Sequence, residues 1–185
     1  MKQARQHGIL PYQHVKRLIA DRVIQADVPI EDRQIQPASL DLRLGRKAYR
    51  LLSSFLPERS EIKSRLNVLD FYQSDLVMYE VDLTGGAILE KGHVYLVPLL
   101  ESLALPKTLR ARANPKSTTG RLDVFTRVIT DLNTGFDEIR AGYHGPLYLE
   151  IVPRSFAIKV KTGLSLNQLR LVRGPATLSD SAIRT

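Results

Sequence analysis

The sequence predicts a mainly β domain, a barrel or sandwich of short strands preceded by one short helix. Two observations carry that expectation. Seven short β-rich stretches fall between residues 79 and 174: YEVDL, GAILE, HVYLVPLLESLAL, DVFTRVIT, PLYLEIVP, FAIKVKTG and NQLRLVRG. Turn formers punctuate them at Gly85-Gly86, Lys91-Gly92, Pro106, Gly145-Pro146 and Gly163. Strands this short, with turns this close, suit a barrel or sandwich rather than βαβ units.

The elements follow in chain order. In GILPYQHVKRLIADRV (8–23), Pro11 suits a first helical position, and Val15, Leu18, Ile19 and Val23 recur at helical spacing. In IQPASLDLRLG (35–45) the pattern alternates from Ser39. Leu40, Leu42 and Leu44 share one strand face, with Asp41 and Arg43 on the other. AYRLL extends or pairs with that strand. SEIKSRLNVL reads as a helical insert with Ser60 as N-cap and an exposed charged face. The β-rich series then runs to Gly174. Residues 1–175 are therefore expected to form one domain. Residues 176–185 are a tail, in which Ser179 or Asp180 looks like the N-cap of a helix that does not develop, as at the start of a missing segment.

Composition narrows the function. At 185 residues, 43% hydrophobic and 25% charged, the chain is large enough for a real core and is ordinary for a globular protein. No apolar run approaches the roughly 20 residues that span a bilayer. The basic N-terminus MKQARQHGILPYQ has no apolar signal core, so a cytoplasmic location without membrane association is expected. Cysteine is absent, which excludes disulfides and thiolate metal sites. The net charge of +8 points to anionic partners. The basic residues are dispersed, however, and the seven Tyr and five Phe form no stacking row. Small phosphorylated ligands are thus favoured over nucleic acid. The four histidines, His7, His14, His93 and His144, lie far apart, without the HxE or CxxC spacing of a zinc deaminase, so no zinc is expected.

Two stretches carry candidate chemistry. KSTTGR (116–121) gathers a lysine, three hydroxyls, a glycine and an arginine. It is not a Walker loop, yet such donors and cations suit phosphate oxygens. On composition alone, a polar turn between strands is the plainer reading. In GPLYLEIVP, alternation sets Leu147, Leu149 and Ile151 on one face and Tyr148, Glu150 and Val152 on the other. A carboxylate there is costly to bury unless paired, and a general base is one use for it. A salt-bridged or outward-facing glutamate remains the plainer alternative.

Five motifs, QPASLDLRLG, ILEKGHVYLVPLLESLALP, KSTTGRL, GYHGPLYLEI and SLNQLRLV, occur in this order. Together they resemble the dCTP deaminase family, relatives of the trimeric dUTPases, over about residues 8–174. The resemblance implies a distorted antiparallel, jelly-roll-like (dUTPase-like) barrel and a homotrimer with active sites between subunits. It implies metal-free hydrolytic deamination of dCTP to dUTP and ammonia, with Mg²⁺ carried by the triphosphate and with dUTP and dTTP as further candidate ligands. The family's R-S-S-L-A-R-L pattern falls on Lys116, Ser117, Thr118, Thr119, Gly120, Arg121 and Leu122, making residues 116–121 nucleotide-binding. Ser117 and Arg121 would also belong to the catalytic centre, with Arg121 ordering it. Glu150 would move the proton from water to the leaving ammonia. Tyr148 and Leu149 would read the base through their backbone, and Gln168 would approach the nucleotide.

Three departures from the family pattern stand out. Lys116 replaces an arginine. Arg140 occupies the position of a deoxyribose-binding aspartate after a longer loop, DLNTGFDE, with Asp131, Asp137 and Glu138 as candidate substitutes. No closing C-terminal tail is evident, which suggests the front half of a chain with two related halves. A dUTPase-like or bifunctional deaminase–pyrophosphatase, and a non-catalytic nucleotide-binding barrel, are the competing readings.

Overall fold

In a computed structural model, residues 7–56 and 76–174 are described. The helix expected at 60–69 and the tail at 176–185 lie outside them.

The first strand, β1 (Gly8–Ile9), precedes helix α1 (Tyr12–Ala20). The helix is shorter than its sequence pattern because Gly8 and Ile9 are taken up in a sheet. Pro11 stands at the N-cap, and Val15 and Leu18 are buried. Lys16 and the Tyr12 hydroxyl both reach Asp32 on the helical turn Asp32–Gln34. Next come β2 (Ile24–Ala26), β3 (Ile35–Gln36), β4 (Ser39–Arg43), β5 (Lys47–Leu51), β6 (Val77–Asp82), β7 (Ala87–Leu89) and β8 (Val94–Ala104). Then follow β9 (Leu109–Pro115), α2 (Ser117–Arg121), β10 (Val124–Ile129), β11 (Glu138–Ile139), β12 (His144–Pro153), β13 (Ile158–Val160) and β14 (Ser165–Arg173).

Among the described residues, two six-stranded antiparallel sheets form. The first runs β11-β9-β14-β4-β3 with β1 on β14, and the second runs β10-β12-β8-β5-β6 with β2 on β8. A separate pair joins β13 to β7. The mainly β, antiparallel fold expected from the sequence is thus present, with one N-terminal helix and a second one of five residues.

The core lies between the sheets. Leu40, Leu42, Leu169 and Leu171 from the first meet Val97, Leu147, Leu149 and Ile151 from the second, all at most 1% exposed. Each such leucine contributes on the order of 2 kcal/mol by leaving water. The chain passes from β4 to β5, and so between sheets, at Gly45, whose N–H donates to the Pro98 carbonyl at 2.8 Å. A Cβ there would stand 2.4 Å from that oxygen, so the crossing admits only glycine without a backbone shift.

The polar face of β4 is the main surprise of the packing. Asp41 and Arg43 are each only 6% exposed. The Arg43 side chain donates to Glu101 at 2.7 Å and to the carbonyls of Val28 and Pro29. The Arg43 backbone N–H and Gln34 also donate to Glu101. Every charge in this knot is satisfied, which is what permits its burial.

Candidate active site

Glu150 sits in the middle of β12 between two partner strands, opposite Arg127 on β10 and Leu96 on β8. Strand alternation aims Leu149 and Ile151 into the main core and turns Tyr148 and Glu150 to the outer face of the second sheet. A small second cluster of Leu51, Leu96, Ile129 and Tyr148 covers that face, with Phe55 and Phe136 packed on it. Glu150 is fully buried.

A carboxylate in such surroundings needs donors on both oxygens, and it has them. Oε1 accepts from Arg127 Nε at 2.7 Å, and Oε2 accepts from the Ser54 hydroxyl at 2.6 Å. Arg127 also donates to the Ser54 oxygen, so the three side chains form a closed triangle. The guanidinium lies 3.5 Å from the Phe136 ring centroid and 5.0 Å from that of Phe125. Both ring contacts favour one orientation of its plane.

Phe136 arrives on the long loop between β10 and β11. That loop is clipped down at Asp137, where φ is +61°. The Asp137 N–H donates to the Val128 carbonyl, and the Val128 N–H donates to the Asp137 carboxylate at 2.8 Å. Burial pushes the Asp137 carboxyl up to about 6, against the weaker opposing pull of the Val128 N–H and Arg127. Desolvation also raises the Tyr148 and Tyr143 phenols far above their ordinary range.

The other sequence-predicted residues lie elsewhere. Residues 117–121 form α2, with Lys116 at its N-cap. Ser117, Thr118, Gly120 and Arg121 are exposed. Thr119 is buried and donates its hydroxyl to the Leu166 carbonyl at 2.8 Å, which fixes the helix against β14. Lys116 forms an ion pair with Asp41. Gln168 accepts from Ser39 and stands opposite Asp41 across the β14–β4 ladder. Lys116 and Gln168 thus share the outer face of the first sheet, whereas Glu150 lies on the outer face of the second. The hydrophobic core of the sandwich lies between these two faces. The backbone of Tyr148 and Leu149 is flanked by β10 and β8. Arg140 is exposed.

Sequence reasoning missed Arg127 and Ser54. Arg127 was legible in principle: DVFTRVIT alternates, and pairing it antiparallel with LYLEIVP sets its one arginine opposite the glutamate. Ser54 carries no pattern of its own. Among the described residues no three metal-ligating side chains converge, and no helix is long and apolar enough to cross a membrane.

The antiparallel sandwich thus holds a buried, donor-saturated glutamate and carries an exposed, hydroxyl-rich helix directly after β9. The family model of the 2'-deoxycytidine 5'-triphosphate deaminase (DCD) N-terminal domain matches residues 6–175, and the chain belongs to this family. It is 32% identical to a "dCTP deaminase, dUMP-forming" of Sulfurihydrogenibium sp. (strain YO3AOP1), over 87% of this chain and 81% of that protein. It is 33% identical to the protein of the same description from Methanothermobacter thermautotrophicus, over 78% of this chain and 68% of the relative. The crystal structure of the 2'-deoxycytidine 5'-triphosphate deaminase from Agrobacterium tumefaciens superimposes with a TM-score of 0.89 at 50% identity. That match covers 97% of this chain but 52% of the solved one, so the chain spans about half its length.

Proposed function

We propose that the chain catalyses hydrolytic deamination of the cytosine ring of Mg²⁺-bound dCTP, with Glu150 as the proton-transferring group. The observation that carries this reading is the complete burial of Glu150 in a donor-lined position at the centre of β12. An anionic carboxylate there takes a proton from the attacking water as oxygen bonds to C4. It returns that proton to the amino group as the C4–N bond breaks, and the second water proton passes from the C4 oxygen to N3. Water and dCTP then give dUTP and ammonia, with no redox change and no proton left over.

The triphosphate falls to α2 and its N-cap. Exposed hydroxyls on Ser117 and Thr118 offer hydrogen bonds, and Lys116 and Arg121 supply charge. Lys116 exchanges its bond to Asp41 for a phosphate oxygen on this account. Because the α2 group and Glu150 belong to different faces, the complete site is read as forming between chains of a homotrimer.

A second reading has specific support: the Sulfurihydrogenibium and Methanothermobacter relatives are described as dUMP-forming. On it, the same chain also cleaves the α–β phosphate bond. Incubation with dCTP and Mg²⁺, followed by chromatography, separates the two. dUTP with ammonia supports deamination alone; dUMP with pyrophosphate supports both steps; no ammonia from folded protein removes the proposal. Glu150→Gln is expected to abolish ammonia release, by at least about 1,000-fold, while dCTP still binds.

A further inference from the structure

We propose that Arg127 is the positioning residue for the Glu150 carboxylate, fixing which oxygen faces the reaction and holding the side chain in one rotamer. The inference rests on the reading of Glu150 given above and assigns a role to a residue outside the hydroxyl-rich motif. Arg121, the arginine that the resemblance would have order the catalytic centre, is exposed at the end of α2. Arg127 stands three residues into β10, roughly 10 Å beyond the first residue of that strand at about 3.3 Å per residue. It is Arg127 that touches the carboxylate.

Three observations converge on this role. Arg127 Nε donates to Oε1 at 2.7 Å, and another guanidinium nitrogen reaches the Ser54 oxygen, whose hydroxyl in turn holds Oε2. Both carboxylate oxygens are therefore set, directly or through Ser54, by one cation. The guanidinium itself is packed against aromatic rings, 3.5 Å from the Phe136 centroid and 5.0 Å from that of Phe125, contacts that favour one orientation. Finally, the long loop that brings Phe136 is anchored to the backbone of Val128, the residue next to Arg127, through both bonds of Asp137.

A different balance holds at the buried Glu101. It accepts from Arg43 and Gln34, both themselves buried, within a knot that also consumes two carbonyls. At Glu150 the second donor, Ser54, is an exposed residue. The carboxylate is thus one exchangeable hydrogen bond away from solvent, while its Arg127 bond stays in place. That arrangement suits a base that must meet a water and a substrate without losing its orientation.

Steady-state kinetics on the full-length protein test the assignment. Arg127→Met, which keeps bulk and removes every donor, is expected to lower kcat for ammonia release about 100-fold with KM for dCTP changing less than about threefold. Arg127→Lys keeps the charge but not the planar fork, and is expected to recover roughly tenfold of that loss. If Arg127→Met does not fold, Arg127→Lys alone decides, since it keeps a cation beside the buried acid. A wild-type kcat in Arg127→Lys, or a change confined to KM in either variant, overturns the positioning role. Glu150→Gln separates the two levels: full activity in that variant sinks the catalytic reading itself. Loss of activity there, with Arg127 variants unimpaired, sinks only the role of Arg127.

Discussion

Asp137 shows how one side chain binds loop geometry to electrostatics. Its positive φ is a conformation that aspartate and asparagine tolerate better than most residues. Its carboxylate caps the Val128 N–H, and burial raises its pKa from 3.8 to about 6. The sign of the consequence follows directly. Between about pH 4 and pH 6 the folded chain keeps a proton that the unfolded chain has released, so stability falls as pH rises through that window and then levels. Asp137→Asn retains the backbone conformation and the oxygen acceptor but cannot titrate. Its melting temperature relative to wild type is therefore expected to climb from about pH 4 to about pH 6 and stay constant above. A difference independent of pH across this range shows that Asp137 is ionised throughout. The position carries no apolar pattern, and the sequence offered it only as one of three acids in a long loop. What distinguishes it from Asp131 and Glu138 is tertiary: the loop must fold back onto β10 before burial acts on one acid.

At the scale of elements, legibility tracked how far a strand's pattern was apolar. HVYLVPLLESLAL, PLYLEIVP and NQLRLVRG announce β8, β12 and β14 because large aliphatic residues recur at period two. β9 went unread: in LRARANP the buried positions Ala111 and Ala113 are small, and the intervening arginines are exposed. Helix α2 was equally hidden, since five residues with two threonines and a glycine have little helical preference. Its turn is held by the Thr119–Leu166 bond, a contact 47 residues away in sequence. β4 was read correctly as a strand, with Asp41 and Arg43 facing away from the leucines. That second face is nevertheless buried, and alternation cannot tell a solvated polar face from a satisfied one. The Arg43–Glu101 knot gives this a measurable form. Removing one partner leaves a buried charge, so Glu101→Gln is expected to destabilise the fold by about 3 kcal/mol or more, and Arg43→Met similarly. The double variant should lose clearly less than the sum. Urea unfolding of the three variants checks it; additive losses indicate that the two side chains do not act as a pair.

At the scale of the molecule, the decisive fact is that the proposed site is split. Lys116 and Gln168 belong to the outer face of one sheet, and Glu150 and Arg127 to the outer face of the other, with the core of the sandwich between them. The proposed homotrimer would resolve this, because a heterologous contact sets one face of each chain against a different face of its neighbour. Complementation tests the arrangement without needing a structure of the assembly. Glu150→Gln and Arg121→Ala chains are each expected to be nearly inactive as pure preparations. If each site takes its glutamate from one chain and its arginine from the next, equal random mixing leaves about a quarter of sites with both native residues. Activity should therefore reappear at about a quarter of the wild-type level after the two proteins are unfolded together and reassembled. Sites contained within single chains predict none, because every chain in the mixture lacks one of the two residues. Sedimentation of the same samples supplies the control, since recovery of activity must coincide with recovery of the proposed trimer.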